Sequence, residues 1–322
     1  SVTSGAFTPI DLIKNVFLGD GVEVTSVTYN GSNNAVGYFG NGLKDISIDN
    51  GLIMSTGNAI SAATANTSGS TTGATSGSSV SDPDLVTITG GTGIQDCAQY
   101  IIKFVPNADT LRFKYVFASE EYPEWVGSTY NDVFGFVLSG PNPGGGSYVN
   151  QNLSVIPGTS TPVTINNVNA GSNGAYYISA PPNLEYDGRT TILTASATVV
   201  PCQTYSMTIG VWDDGDGSLD SGVFLDVNGL SCANQPSLTA TVNPTTTCGP
   251  QTVTLTVAGG FAIGSYTWSA PASGGLASTS GSVVTANPTG ATTYTVKYSD
   301  INTCPGFPVT QTVAIAFTPP PA

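Results

Sequence analysis

Between Thr8 and Leu18 the apolar residues Leu12, Ile13, Val16 and Phe17 recur on one helical face. Thr8 supplies an N-capping hydroxyl and Pro9 suits the first helical position, so one short helix is expected here and almost none elsewhere. From Val22 onward the pattern changes to short runs of β-branched and aromatic residues closed by Gly, Asn and Pro: Val22–Tyr29, Leu52–Ser55, Tyr100–Val105, Leu111–Ala118, Val133–Leu138, Ala175–Ser179 and Thr190–Val200. Residues 61–80, nearly all Ser, Thr, Ala and Gly, predict a long surface loop, and Pro141–Ser147 predicts a second. Many short strands imply an all-β chain. The expected fold is a large β-sandwich or jelly-roll-like domain with one short N-terminal helix, followed by a small immunoglobulin-like β-sandwich.

Thr204–Trp212 and Gly222–Leu230 flank the acidic stretch Asp213–Asp220, which makes a hairpin the simplest topology. Cys202 and Cys232 are equidistant from Gly217 and would then face each other closely enough to bond. Beyond Cys232 the composition shifts, and residues 237–322 hold one acid, Asp300, and one base, Lys297. A boundary near Asn234–Pro236 divides the chain into expected domains 1–235 and 236–322. In the second, Trp268 lies between Cys248 and Cys304, a spacing loosely that of an immunoglobulin-like sandwich, and a Cys248–Cys304 bond is expected. Cys97 is left over, either as a small buried apolar residue or as a thiol open to intermolecular pairing. Four cysteines at stapling positions point to an oxidising, extracellular or cell-surface compartment.

Seven basic residues against 21 acidic give a net charge of −14, which repels phosphate backbones and anionic lipid. Nucleic-acid binding is therefore not expected. No apolar run approaches the roughly 20 residues that span a bilayer, so membrane insertion is not expected either. The chain contains no histidine. That removes Ser-His-Asp triads, Cys-His pairs and imidazole-based zinc sites, leaving carboxylate chemistry.

Nine of the 21 acids fall in two stretches, residues 117–136 and 211–226. In Asp214–Asp220 oxygen-bearing side chains recur at every second residue, as in a calcium loop, although Leu219 and Leu225 stand where an EF-hand needs Gly and Glu. The expected Ca²⁺ ligands are Glu120 or Glu121 together with Asp213, Asp214, Asp216 and Asp220. Adjacent on an extended segment, Glu120 and Glu121 should point to opposite faces. Hydration of exposed acids is the plain alternative. Paired carboxylates could also cleave glycosides, with Tyr122, Trp125 and Tyr130 as a sugar platform. Without a recognisable acid/base signature, a non-enzymatic protein is expected.

Six ordered motifs carry a resemblance: Asn15-Val-Phe-Leu-Gly-Asp-Gly-Val22, Ile48-Asp-Asn-Gly-Leu-Ile-Met-Ser-Thr-Gly57, Phe117-Ala-Ser-Glu-Glu-Tyr122, Asn131-Asp-Val-Phe-Gly-Phe-Val-Leu-Ser-Gly140, Pro201-Cys-Gln-Thr-Tyr205, and the run from Asp213 to Leu225. Over about residues 8–232 the chain resembles the choice-of-anchor L domain, a module of secreted and surface-attached bacterial proteins, especially from Bacteroidota. The resemblance implies a surface or released protein joined to other β-modules, with no established catalytic activity. Expected partners are a surface glycan or protein, or copies of the chain itself in an extracellular filament.

Overall fold

Thr8 caps the first helix through a reciprocal pair of hydrogen bonds. The Asp11 N–H donates to the Thr8 hydroxyl at 3.2 Å, and the Thr8 N–H donates back to the Asp11 carboxylate at 3.4 Å. Helix α1 (Pro9–Leu12) continues into a π-helical turn, Ile13–Phe17, closed by Leu18 N–H on Ile13 C=O at 2.9 Å. Leu12, Ile13, Val16 and Phe17 all enter the core, at 3 % exposure or less.

This computed structural model describes residues 1–3, 5–67, 94–179, 183–215, 217–233, 238–259, 265–299 and 309–318. Asp216, Cys304, the expected boundary at Asn234–Pro236 and residues 68–80 of the expected loop lie outside them. The chain forms two units, Ser1–Ala233 and Asn234–Ala322.

The first unit contains β1 (Val2–Thr3), β2 (Val22–Asn30), β3 (Val36–Phe39), β4 (Gly51–Ser55), β5 (Ile94–Pro106), β6 (Thr110–Ser119), β7 (Val133–Pro141), β8 (Ser147–Asn152), β9 (Tyr177–Ser179), β10 (Gly188–Thr190), β11 (Leu193–Thr198), β12 (Tyr205–Asp214), β13 (Ser221–Asp226) and β14 (Ser231–Ala233). Sheet one runs β1-β3-β4-β13-β6-β10-β9, with β11 and β14 also paired to β6; sheet two runs β2-β5-β12-β7-β8. Side chains alternate across a strand, and sheet one buries both faces. Leu52, Met54, Tyr115, Phe117, Val223 and Leu225 join sheet two and the helix in the main core. Ile53, Val116, Ala118 and Phe224 form a second core on the outer face with Phe39, Ile46, Leu184 and Tyr186. Continuous apolar runs such as Val223–Leu225 follow from that double burial.

The expected hairpin is not formed. β12 pairs with β5 and β7 in sheet two, whereas β13 pairs with β4 and β6 in sheet one, so the acidic connection crosses between layers. Equal distance from Gly217 therefore does not set Cys202 opposite Cys232. Cys232 pairs with Leu111 on β6 as a buried free thiol, and the expected Cys202–Cys232 bond is absent. Cys202 is disulfide-bonded in another pairing. Cys248 is an exposed free thiol, which likewise overturns the Cys248–Cys304 bond. Cys97 is buried at 2 % exposure, out of reach of intermolecular pairing.

The second unit contains β15 (Leu238–Asn243), β16 (Thr246–Cys248), β17 (Val253–Gly259), β18 (Ser265–Ser269), β19 (Val283–Ala286), β20 (Thr292–Ser299) and β21 (Val309–Thr318). The order β15-β17-β19 makes one sheet and β16-β21-β20-β18 the other, with β16 parallel to β21. Leu255 and Val284 from the first sheet share one core with Trp268, Tyr294, Val296 and Ile315 from the second. The unit is thus a two-layer sandwich. Trp268 is anchored within it by Nε1 donating to Gly281 C=O at 3.0 Å.

Thr8→Ala should cost about 1 kcal/mol through loss of the cap, and Phe17→Ala about 3–5 kcal/mol through the cavity it opens. Urea unfolding of the full chain measures both. Equal losses would contradict this division between cap and buried face.

Candidate functional site

The two acidic segments, far apart in sequence, meet where three strands of sheet one end. Ser119, the last residue of β6, pairs with Gly188 of β10 on one side and Ser221 of β13 on the other. One step further, the Glu120 N–H donates to Asp220 C=O at 3.1 Å. Alternation then sorts the acids onto opposite faces of the sheet.

On the side between the sheets lie Asp132, Asp213 and Glu121. Asp132 is well satisfied, accepting from Asp214 N–H through Oδ1 at 3.1 Å and from the Ser221 hydroxyl through Oδ2 at 2.7 Å. The Glu121 N–H donates to Ser119 Oγ at 2.9 Å, and its carboxylate reaches the Asp132 N–H at 3.5 Å. Asp213, 1 % exposed, lies near Asp132 and Thr56, yet neither of its oxygens makes a well-formed hydrogen bond. Burial first, and then the charge of Asp132, push its carboxyl well above the usual carboxylate range.

On the outer face the same register sets up a row. Glu120 continues the positions of Val116 and Ala118, and Asp220 those of Gly222 and Phe224, so both project onto the outer side with Asp187, which precedes Gly188. Glu120 is 1 % exposed and both its oxygens lack a hydrogen-bond partner. Burial, then Asp187, Glu185 and Asp220, raise its carboxyl from 4.5 to about 9. Glu185 and Asp187 are each steadied through one oxygen, by the Thr64 hydroxyl and the Asn66 amide, both at 2.5 Å. Burial chiefly raises Asp187 as well. Beside the row, the Tyr186 hydroxyl shares a 3.1 Å hydrogen bond with Ser55 Oγ.

Glu120 and Glu121 thus diverge, one to each face. Asp213 stands with Asp132, Asp214 contributes its backbone N–H, Asp220 stands with Glu120, and Asp216 lies outside the described residues. Among the described residues, no group of three or more His, Cys, Asp or Glu side chains is placed to hold a metal ion. The aromatic platform is reduced as well. Tyr122 is buried with its hydroxyl on Val168 C=O at 2.5 Å, leaving Trp125, 41 % exposed, edge-to-face with Tyr130 at 5.2 Å. Glu185, Tyr186 and Asp187 were missed by the sequence reading. Their signal was an acid-aromatic-acid alternation just before the strand at Gly188.

Gly57 continues the outer row past Asp220, and a Cβ there would overlap the Asp220 carboxylate. Gly57→Ala should therefore destabilise the first unit by about 1–3 kcal/mol, in the range of overpacked sites; an unchanged urea midpoint would contradict the packing. A second expectation concerns pH. Glu120, facing Asp187, Glu185 and Asp220, holds a proton in the folded state between pH 4.5 and about 9 that the unfolded chain releases. Its contribution is full at the acidic end of that window and is lost as pH rises through it. In chelator the Tm should fall from pH 5 to pH 9, and Glu120→Gln should flatten the fall. A rise over that range would contradict it.

A family model for the choice-of-anchor L domain matches residues 1–231. Among solved structures, murine CEACAM1b aligns at 15 % identity over 58 % of this chain and 86 % of its own, with a TM-score of 0.21. Red sea bream transglutaminase aligns at 12 % identity over 68 % of this chain and 29 % of its own, also at 0.21. No curated protein matches the chain. The family match spans the helix, both sheets and the acidic junction of the first unit, and the chain belongs to the choice-of-anchor L domain family.

Proposed function

We propose that the chain is a non-enzymatic structural or adhesion module of a secreted or cell-surface protein, stabilised by calcium, whose partner is a surface glycan or another protein. The observation that carries this reading is where the acids are. Glu120, Glu121, Asp132, Asp213, Asp214 and Asp220 are all at most 5 % exposed, packed into the end of a sandwich instead of lining an open cleft. Carboxyls so placed act on the fold and not on a substrate. Membership of a surface-domain family supports the location, and no described helix is long and apolar enough to cross a membrane. The second unit, a two-layer sandwich around Trp268, suits an immunoglobulin-like spacer. A second reading, pairing of copies into a filament, rests on β8, an edge strand with Val149 78 % exposed.

Calcium at 100 times its Kd should stabilise the full chain by about 2.7 kcal/mol, a Tm rise of roughly 5–10 °C for a protein of this size. An unchanged Tm up to 10 mM calcium would remove calcium from the reading. Antibody against residues 1–233 should label intact producing cells or their medium; labelling only after lysis would overturn the surface assignment.

A further inference from the structure

We infer that the cleft floored by Arg112 and Lys114, on the outer face of sheet one, binds a polysaccharide bearing uronic acids, the two bases taking a sugar carboxylate and the neighbouring hydroxyls its neutral oxygens. This rests on the surface reading above and names the class of glycan.

The register builds the floor. On β6, Leu111, Phe113 and Tyr115 enter the main core, so Arg112 and Lys114 between them point outward, and both are exposed. The strands on either side carry small hydroxyls at the matching positions. Lys114 is paired with Thr194 and Arg112 with Ser196 on β11, while Ser231 of β14 is paired with Arg112 from the other side. Farther along β6 the same face is covered by the second core around Val116 and Ala118; at this end it opens into a cleft of about 360 Å³. Thr194 also lines a second cleft, of about 370 Å³, in which Ser196, Thr198, Gln151 and Tyr148 carry polar surface and one aromatic ring on toward β8.

The wall of the first cleft is fixed in place. In the turn between β13 and β14, Asn228 N–H donates to Val16 C=O at 2.8 Å, Gly229 N–H to Asp226 C=O at 3.1 Å and Leu230 N–H to Phe17 C=O at 3.0 Å. The turn is thereby tied to the buried π-helical segment. A site shaped before its ligand arrives loses less on binding.

Charge selects the ligand. Two of the chain's seven bases stand here two residues apart, about 7 Å along one strand. One step beyond the Leu225–Tyr115 pair the ladder sets Asp226 opposite Lys114; burial raises the Asp226 carboxyl and Lys114 draws it back. The lining residues thus carry two positive charges and one negative, a net +1 that matches a single carboxylate. A guanidinium meets a carboxylate through two parallel hydrogen bonds, and Ser and Thr hydroxyls both donate to and accept from a sugar. Charges are screened beyond about 8 Å at physiological salt, so a carboxylate seated here meets these bases before the acids elsewhere in the chain. A densely charged nucleic acid would reach those acids too. An acidic protein segment brings carboxylates but few hydroxyls for Thr194, Ser196 and Ser231.

Calorimetric titration of the full 322-residue chain with oligomers of galacturonate, alginate and hyaluronan is the test, each compared with the same oligomer after reduction of its carboxyls to alcohols. At least one acidic oligomer should bind with a Kd of about 1 mM or below, and its reduced form about tenfold more weakly or worse. Arg112→Gln and Lys114→Gln should each weaken binding by about tenfold or more while shifting Tm by less than about 2 °C, as exposed positions do. Lys103→Gln, at an exposed base on sheet two, should leave binding within about twofold. No binding of any of the three up to about 10 mM, equal binding of the reduced forms, or binding untouched in both cleft variants would overturn the inference. Polyglutamate held more tightly than the sugars, and lost in Arg112→Gln, would replace the glycan with an acidic protein. None of these outcomes touches the surface reading, which labelling of intact cells decides separately.

Discussion

Side-chain alternation at the end of β6 is the constraint on which the acidic junction depends. Ser119 is held on both sides by ladder pairing, and the Glu120 N–H on Asp220 C=O carries that register one residue into the turn that follows. Glu120 goes outward with Asp220 and Asp187. Glu121 goes inward toward Asp132. A cluster that looks single in the sequence is therefore two groups on either side of the strand ends, still within reach of one another, since the charge of Asp220 helps raise Asp213. Each must solve its own electrostatics. The inner group does so largely with hydrogen bonds, from Asp214 N–H and the Ser221 hydroxyl to Asp132, while burial keeps Asp213 toward its neutral form. On the outer face Thr64 and Asn66 donate to Glu185 and Asp187, while neither oxygen of Glu120 has a hydrogen-bond partner.

The packing around this division explains the glycines of the family-like motifs. At Gly57 the missing side chain makes room for the Asp220 carboxylate, and at Gly222 for the Tyr186 hydroxyl. Tyr186 in turn bonds Ser55 on β4, the strand next to β13. Motifs separated by more than a hundred residues thus meet in one row crossing β4, β13, β6 and β10. Burial on both faces of sheet one makes the arrangement stiff. Tyr115 and Phe117 pack inward against sheet two while Val116 and Ala118 pack outward, so β6 cannot slip by one residue without inverting both cores.

Much of this was legible in the chain. The Thr8-Pro9 start and the spacing of Leu12, Ile13, Val16 and Phe17 located the helix, and the β-branched runs located most long strands of the first unit. Its π-helical continuation was not legible, since the same four residues satisfy either winding. The hairpin failed for a physical reason. Two strands joined by a short turn are adjacent by default, yet the connection after Asp214 crosses from sheet two to sheet one, and local composition carries no record of which layer a strand joins. The disulfide expectation fell with it, because it was built on that adjacency. The row at Glu120 depended on a third strand, β10, only three residues long. Its partner residue Asp187 becomes recognisable only once Gly188 is known to pair with Ser119.

The same alternation separates the acids whose acidity constants are most strongly raised. Carboxyls that act together on a glycoside approach one bond from opposite sides of a sugar, and both must be reachable by it. Here the two with the most strongly raised acidity constants, Glu120 and Asp213, belong to opposite faces of one sheet and are each 1 % exposed. Their perturbed titration is a consequence of burial among other acids, which is a cost to the fold that bound protons relieve. Perturbation of this kind often marks an active site; in this chain it follows from burial among other acids at the end of the sandwich.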